Sequence, residues 1–315
     1  MKQINLRKVA IIGCGFVGSA SAFALMQRGL FSEMVLVDVN RERAEGEALD
    51  IGHGMPLAKP MRIYAGDYSD IEDAAIIVVT AGANQKPGET RLDLVRKNTA
   101  IFKGIMSEIS KINYQGILLV VANPVDILTY TAVKYSGIAP NRVIGSGTVL
   151  DTARLKYLLS EHLKVDSRSV HAFIIGEHGD SEFAAWSSAN ISGVPLLDFC
   201  DMRGHFNHEQ AMLEIENTVR NSAYEIIKRK QATYYGIAMA VERICEVILR
   251  DEKSILSVSS LIHNFNGIDD VTLSVPAVVG MEGIETLIPI RLNEAEQTKL
   301  KNSADVLRSV IKEVL

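Results

Sequence analysis

The stretch "KVAIIGCGFVG", residues 8–18, decides the fold. "KVAII" has the unbroken aliphatic character of a strand covered on both faces. Gly13, Gly15 and Gly18 follow at once in G-x-G-x-x-G spacing, where a helical pattern begins. In that setting the first glycine turns the chain tightly, the second lets backbone approach a pyrophosphate, and the third brings helix and strand together. The phosphates would rest on the positive helix N-terminus. A purely structural glycine turn has the same spacing, so context must separate the two. Twenty residues past Gly18, Asp38 ends a second aliphatic run, "MVLVD" (34–38). A carboxylate there accepts hydrogen bonds from the adenosine ribose hydroxyls and repels a 2′-phosphate, which selects NAD over NADP, although Arg41 and Arg43 stand nearby.

The pattern repeats outward. "MRIYA" (61–65), "AIIVVT" (75–80), "GILLVVA" (116–122) and "RVIGS" (142–146) are further apolar runs, and most of the segments between are long enough for crossover helices. The economical fold is α/β, a doubly wound parallel sheet of the Rossmann kind. Past residue 147 the rhythm changes. A helix over 149–163 leads to an apolar run near 172–175, two helices span 208–250, and "SILSVSSLI", "VTLSVPAVVG" and "GIETLIPI" read as antiparallel strands. A last helix repeats Leu300, Leu307, Val310, Ile311 and Val314 at helical spacing. We expect a nucleotide-binding domain over 1–146 and an α+β catalytic domain over 147–315.

With 315 residues, 47% hydrophobic and 23% charged, the composition is that of an ordinary soluble protein. A net charge of −5 and the lack of any Lys/Arg block argue against nucleic acid. The apolar run at the N-terminus is too short for a signal sequence or membrane span, which points to the cytoplasm. Cys14, Cys200 and Cys245 are far apart and not in metal-ligand spacing, so a reducing compartment and no metal are expected.

Four short stretches carry candidate chemistry. "AFIIGEHGDSEF" (172–183) places His178 between Gly176 and Gly179, accessible to a ligand, or else a plain turn histidine. "TAGANQKPGETRLDLV" (80–95) follows the fourth strand and puts Gln85, Lys86, Glu89 and Arg91 where ligands of such sheets bind, though it also reads as a polar connection. "VANPVD" ends the fifth strand with Asn123 at the same edge, before Pro124 opens a helix. "DTARLK" puts Asp151 and Arg154 three apart on one helix face, either a surface ion pair or part of an interdomain cleft.

These stretches, with "GCGFVG" and "ATYYGIAMA" (232–240), occur in the order and spacing of the L-lactate dehydrogenases, which the chain resembles almost end to end, especially the bacterial ones. The resemblance implies reversible hydride transfer between NADH and pyruvate, giving (S)-lactate and NAD at the end of fermentative glycolysis. It makes His178 the proton donor and acceptor, Asp151 the partner fixing its tautomer, and Arg154 the bidentate holder of the substrate carboxylate. Arg91, carried by the loop that closes in that family, would stabilise charge developing on the carbonyl oxygen. Asn123 would bond the same oxygen and the nicotinamide side, and Thr233 would line the substrate pocket. Gly13, Gly15, Val17, Gly18, Asp38, Arg43, Tyr68, Gly82, Ala83, Asn123 and Ser146 would meet the cofactor. The position of Gln85 tends to be Gln in lactate and Arg in malate dehydrogenases, so Gln85 favours pyruvate over oxaloacetate; a malate or branched-chain 2-hydroxy acid dehydrogenase is the alternative.

The family also implies a homotetramer and, in many bacterial members, a fructose 1,6-bisphosphate site between subunits. His171 stands where that site has its histidine, but Lys156 replaces the usual Arg, keeping charge while losing the planar fork. Gln231 replaces a common Gly, and its larger side chain would narrow the pocket near Thr233.

Overall fold

The computed structural model describes residues 3–83 and 88–315. The first half alternates strand and helix: β1 (Asn5–Ile12), α1 (Phe16–Arg28), β2 (Glu33–Val37), α2 (Arg41–His53), β3 (Arg62–Ala65), β4 (Ala74–Val79), α3 (Arg91–Lys111), β5 (Ile117–Val120), α4 (Val125–Tyr135) and β6 (Val143–Gly145). The parallel strands lie in the order β3-β2-β1-β4-β5-β6, the doubly wound arrangement expected. All six residues of β4 are buried, which explains its uninterrupted aliphatic run. In β1 the side chains alternate: Val9 and Ile11 enter the core beneath α1 and α2, while Ala10 and Ile12 enter the one that α3 supplies with Phe102, Ile105 and Met106.

The second half contains α5 (Val149–Leu163), the two-residue strands β7 (Val170–His171), β8 (Ile174–Ile175), β9 (Phe183–Ala184), β10 (Asn190–Ile191) and β11 (Val194–Pro195), and the helices α6 (Leu196–Met202), α7 (His208–Lys230) and α8 (Tyr235–Leu249). Then come β12 (Ser254–Ile262), β13 (Val271–Gly280), β14 (Gly283–Leu287) and α9 (Glu294–Val314). The apolar run before His178 is therefore a strand of only two residues, shorter than its sequence suggests.

The last three long strands are antiparallel and extend the same sheet. Ser259 of β12 pairs with Gly145 of β6, so nine strands run as β14-β13-β12-β6-β5-β4-β1-β2-β3. Val241, Ile244 and Cys245 of α8 pack into the core beneath α1. Leu300, Leu307 and Ile311 of α9 are buried in a separate core with Leu273 and Val275 of β13. Gly13, Asp38, Asn123 and Ser146 all follow the carboxyl ends of parallel strands, the edge where such sheets bind ligands. No helix among the described residues is long and apolar enough to cross a membrane.

Candidate functional site

His178 sits on a loop tied down from three directions. Gly176 exchanges both backbone hydrogen bonds with Ser274 of β13, at 2.9 Å each. Its φ of +97° and the 2.8 Å that a Cβ would leave to Ser303 Oγ make glycine necessary there. Ser303 of α9 accepts the Glu177 amide (2.6 Å), and Asp126 of α4 accepts the His178 amide (2.8 Å). Beneath the loop, Thr148 Oγ1 and Ser257 Oγ donate to the carbonyl of Ile174 at 2.6 and 2.8 Å. The loop is therefore a fixed support for its imidazole.

His178 Nδ1 lies 2.7 Å from Asp151 Oδ2, and Arg154 Nη1 donates to Asp151 Oδ1 at 2.7 Å. The Asp151 side chain is 2% exposed and that of Arg154 15%, so the helical pair is no solvated surface bridge. Burial alone would raise the Asp151 carboxyl, but the imidazole and the guanidinium outweigh it and hold it below the usual range. For His178, burial disfavours the imidazolium, yet the charge and hydrogen bond of Asp151, backed by Glu182 and Asp126, raise its pKa to about 9. A half-buried imidazolium held in one orientation is a proton donor near neutrality.

Glu182, absent from the sequence-based site, is 5% exposed with Oε2 3.9 Å from His178 Nδ1. Burial, and then the charge of Asp151, push its carboxyl up to about 8 against His178, Arg154 and Arg220. Asp151, His178 and Glu182 each place a donor atom within 4.8 Å of the others. That spacing also suits a metal ion, but Nδ1 is already bonded to Asp151.

A cavity of about 330 Å³ opens between the halves, lined by Arg91, Asn123, Asp151, Arg154, His178 and Glu182 together with residues of α7. The structure thus gathers five of the expected site residues, from α3, α5, the His178 loop and the turn before α4. Thr233 is half-buried after α7 and is not among the lining residues. Arg91 opens α3, where Thr90 and Asp93 form a reciprocal cap. Its guanidinium is 2.5 Å from Asp180 and 3.6 Å from Glu177, an engagement that sequence reasoning missed. Asn98, buried at the centre of α3, accepts the Ala83 amide at 2.8 Å and donates to the Asn123 carbonyl at 2.8 Å. Gln85 and Lys86 lie outside the described residues.

The nucleotide side fits a dinucleotide. A Cβ on Gly15 would meet nothing within 4 Å, whereas on Gly13 it would approach the Ala81 nitrogen to 2.5 Å and on Gly18 it would strike the Gly13 carbonyl. The outer and inner glycines serve the turn and the packing, and the middle one faces open space. No side chain caps α1 and no acid lies in its first turn, which leaves its amides to an anion. Val17 is half-buried in that turn. Asp38 receives the Cys14 and Asn40 amides at 2.6 and 2.9 Å and is half-exposed at the end of β2. Tyr68 is half-buried, Ser146 buried, Gly82 and Arg43 exposed.

Comparison with known proteins agrees with this geometry. Residues 7–145 match the family model described as "lactate/malate dehydrogenase, NAD binding domain", and residues 148–315 match that of the family's alpha/beta C-terminal domain. The chain belongs to the lactate/malate dehydrogenase family. It is 54% identical to the L-lactate dehydrogenase of Acetivibrio thermocellus over 307 residues, covering 98% of this chain and 97% of the relative. It is also 54% identical to that of Thermoanaerobacterium saccharolyticum over 309 residues, covering 98% and 99%. The crystal structure of a lactate dehydrogenase from a Medee basin deep-sea metagenome library superposes with a TM-score of 0.95 at 45% identity, covering 100% of this chain and 99% of that one.

As a lactate/malate dehydrogenase, the chain is an NAD-dependent oxidoreductase acting on a CH–OH group. The remaining positions singled out from the family pattern lie away from the cavity lining. Lys156 is half-buried on α5, where burial lowers its ammonium pKa, and His171 is exposed on β7, which packs against α5. Gln231 ends α7 as an exposed C-cap with φ +71°, its amide donating to Ile227. Gln231 thus takes the left-handed conformation that glycine adopts freely at a helix C-cap, and it is not among the residues lining the cavity.

Proposed function

We propose that the chain is an L-lactate dehydrogenase reducing pyruvate to (S)-lactate, and that its acid–base group is His178. The reading rests on one observation above all: within one cavity Asp151 binds both the imidazole of His178 and the guanidinium of Arg154. When bound, the nicotinamide supplies a hydride to the carbonyl carbon, or takes it back from lactate. His178 gives the carbonyl oxygen its proton in reduction and removes the hydroxyl proton in oxidation. Asp151 stabilises the imidazolium and fixes its orientation. Arg154 holds the substrate carboxylate, for which the planar guanidinium is suited. Arg91 leaves Asp180 and Glu177 for the carbonyl oxygen, and Asn123, held by Asn98, bonds the same atom. Thr233 completes the substrate pocket. On the cofactor side, Gly13, Gly15, Val17, Gly18, Asp38, Arg43, Tyr68, Gly82, Ala83 and Ser146 form the contact set, within a domain of residues 1–146 that precedes a catalytic domain of 147–315.

Gln85 selects pyruvate, because the second carboxylate of oxaloacetate would be buried without a cationic partner. Breaking such a pair costs on the order of 3–5 kcal/mol, roughly a hundredfold or more in rate. Following NADH consumption with pyruvate, oxaloacetate and 2-oxoisocaproate tests the assignment. Wild type should prefer pyruvate and Gln85→Arg should reverse that preference; turnover of oxaloacetate first by wild type would refute it. We further propose a cytoplasmic homotetramer with a fructose 1,6-bisphosphate site built on Lys156 and His171. A tetramer whose activity is unchanged by the bisphosphate at both acidic and neutral pH would remove that effector.

A further inference from the structure

Glu182 has no task in the reaction as described, yet it is buried against its acid–base pair. Its Oε2 is 3.9 Å from His178 Nδ1, and Asp151 Oδ2 lies 2.7 Å from the same nitrogen. Two carboxylates, each almost fully buried, thus face one imidazole at the cavity wall. The charges around them decide which form Glu182 takes. From α5 come Asp151 and Arg154, joined at 2.7 Å, and from α4 Asp126, whose carboxylate accepts Ser259 Oγ (2.5 Å) and the His178 amide. From α7, Arg220 donates to the Glu182 carbonyl and is paired with Glu216 at 2.9 Å. Glu216 is also 3.6 Å from Lys299 of α9, and at the same cavity Arg91 is paired with Asp180 and Glu177. With Asp151 and Asp126 ionised against His178 and Arg154, the centre is neutral before Glu182 is counted. An ionised Glu182 would make it negative, and an incoming 2-oxo acid would bring a second like charge into low dielectric.

We propose that Glu182 is a positioning residue of the acid–base centre: as a neutral carboxylic acid it lets the centre accept the anionic substrate, and as a carboxylate it repels it. The proton on Glu182 is not consumed, since the one transferred to the carbonyl comes from His178. Substrate binding is thereby linked to two protons rather than one. Burial, and then the charge of Asp151, push the Glu182 carboxyl up to about 8. The inference rests on the lactate dehydrogenase reading for its substrate, but the protonation of Glu182 can be read without any substrate.

The test compares wild type with Glu182→Gln in two measurements. In pyruvate reduction, kcat/KM of wild type should fall above about pH 9 by about a hundredfold per pH unit, two protons' worth, and that of Glu182→Gln by about tenfold. Between pH 8 and 9 the difference should lie in KM rather than kcat. Infrared titration of the unliganded protein should show a protonated-carboxyl stretch disappearing near pH 8 in wild type and absent from Glu182→Gln. Superimposable pH profiles, or the lack of that band in wild type, would overturn the proposal. Should Glu182→Gln fail to fold, the wild-type infrared titration decides alone. If wild type reduces no 2-oxo acid, the functional reading fails while the infrared result still stands.

Discussion

At His178 two opposing effects meet. Burial disfavours its charge, and Asp151 more than restores it, so the folded pKa of about 9 lies above the ordinary value of 6.5. The sign of the pH dependence follows. The imidazolium persists through neutrality and is lost as pH rises through about 9, so pyruvate reduction should fall across that interval and lactate oxidation should rise. Asp151→Asn removes the raising partner and should move both limbs to lower pH by more than one unit, with kcat reduced by about a hundredfold or more. Profiles that did not move would show that another group sets His178. At this scale the sequence was legible where residues were near neighbours or matched a family motif: the structure brings His178, Asp151 and Arg154 to one cavity and puts Gly13, Gly15 and Gly18 at the start of α1. Asp126, Ser303 and Asn98 were not legible, because they are buried polar groups whose partners lie 15 to 133 positions away. Glu182 is only four residues from His178, but spacing along an irregular loop does not say which way a side chain points.

At the scale of elements, the long strands were readable because burial on both faces leaves an unbroken aliphatic run. Of the five two-residue strands only β8 was marked, by the apolar run before His178; the other four and α6 were not, since two residues complete no period and seven complete barely two turns. α7 shows how an element end carries its own chemistry. Gln231 adopts the left-handed conformation at φ +71° that glycine adopts without a Cβ penalty. Gln231→Gly should raise stability by about 0.5–1 kcal/mol, measurable by urea or thermal unfolding. No gain, or a loss, would mean that the glutamine side chain makes compensating interactions.

Across the whole molecule, sequence rhythm marked a change near residue 147 but not how the halves join. β12 continues the sheet from β6, and Asn141 Nδ2 and the Arg142 guanidinium reach the Glu282 carbonyl and carboxylate. Pairing between distant strands leaves no local periodicity to read. α8 is more telling, because it is encoded almost a hundred residues past the change of rhythm yet fills the core beneath α1. The halves are therefore not interchangeable modules. A gene cut after codon 146 would yield a polypeptide with an uncovered β6 edge and the apolar face that α8 should occupy, both of which favour aggregation. Such a fragment should be insoluble when expressed alone and should recover in solution when residues 147–315 are supplied from a second transcript. A soluble fragment with a cooperative unfolding transition would mean that the nucleotide half carries its own fold without that helix.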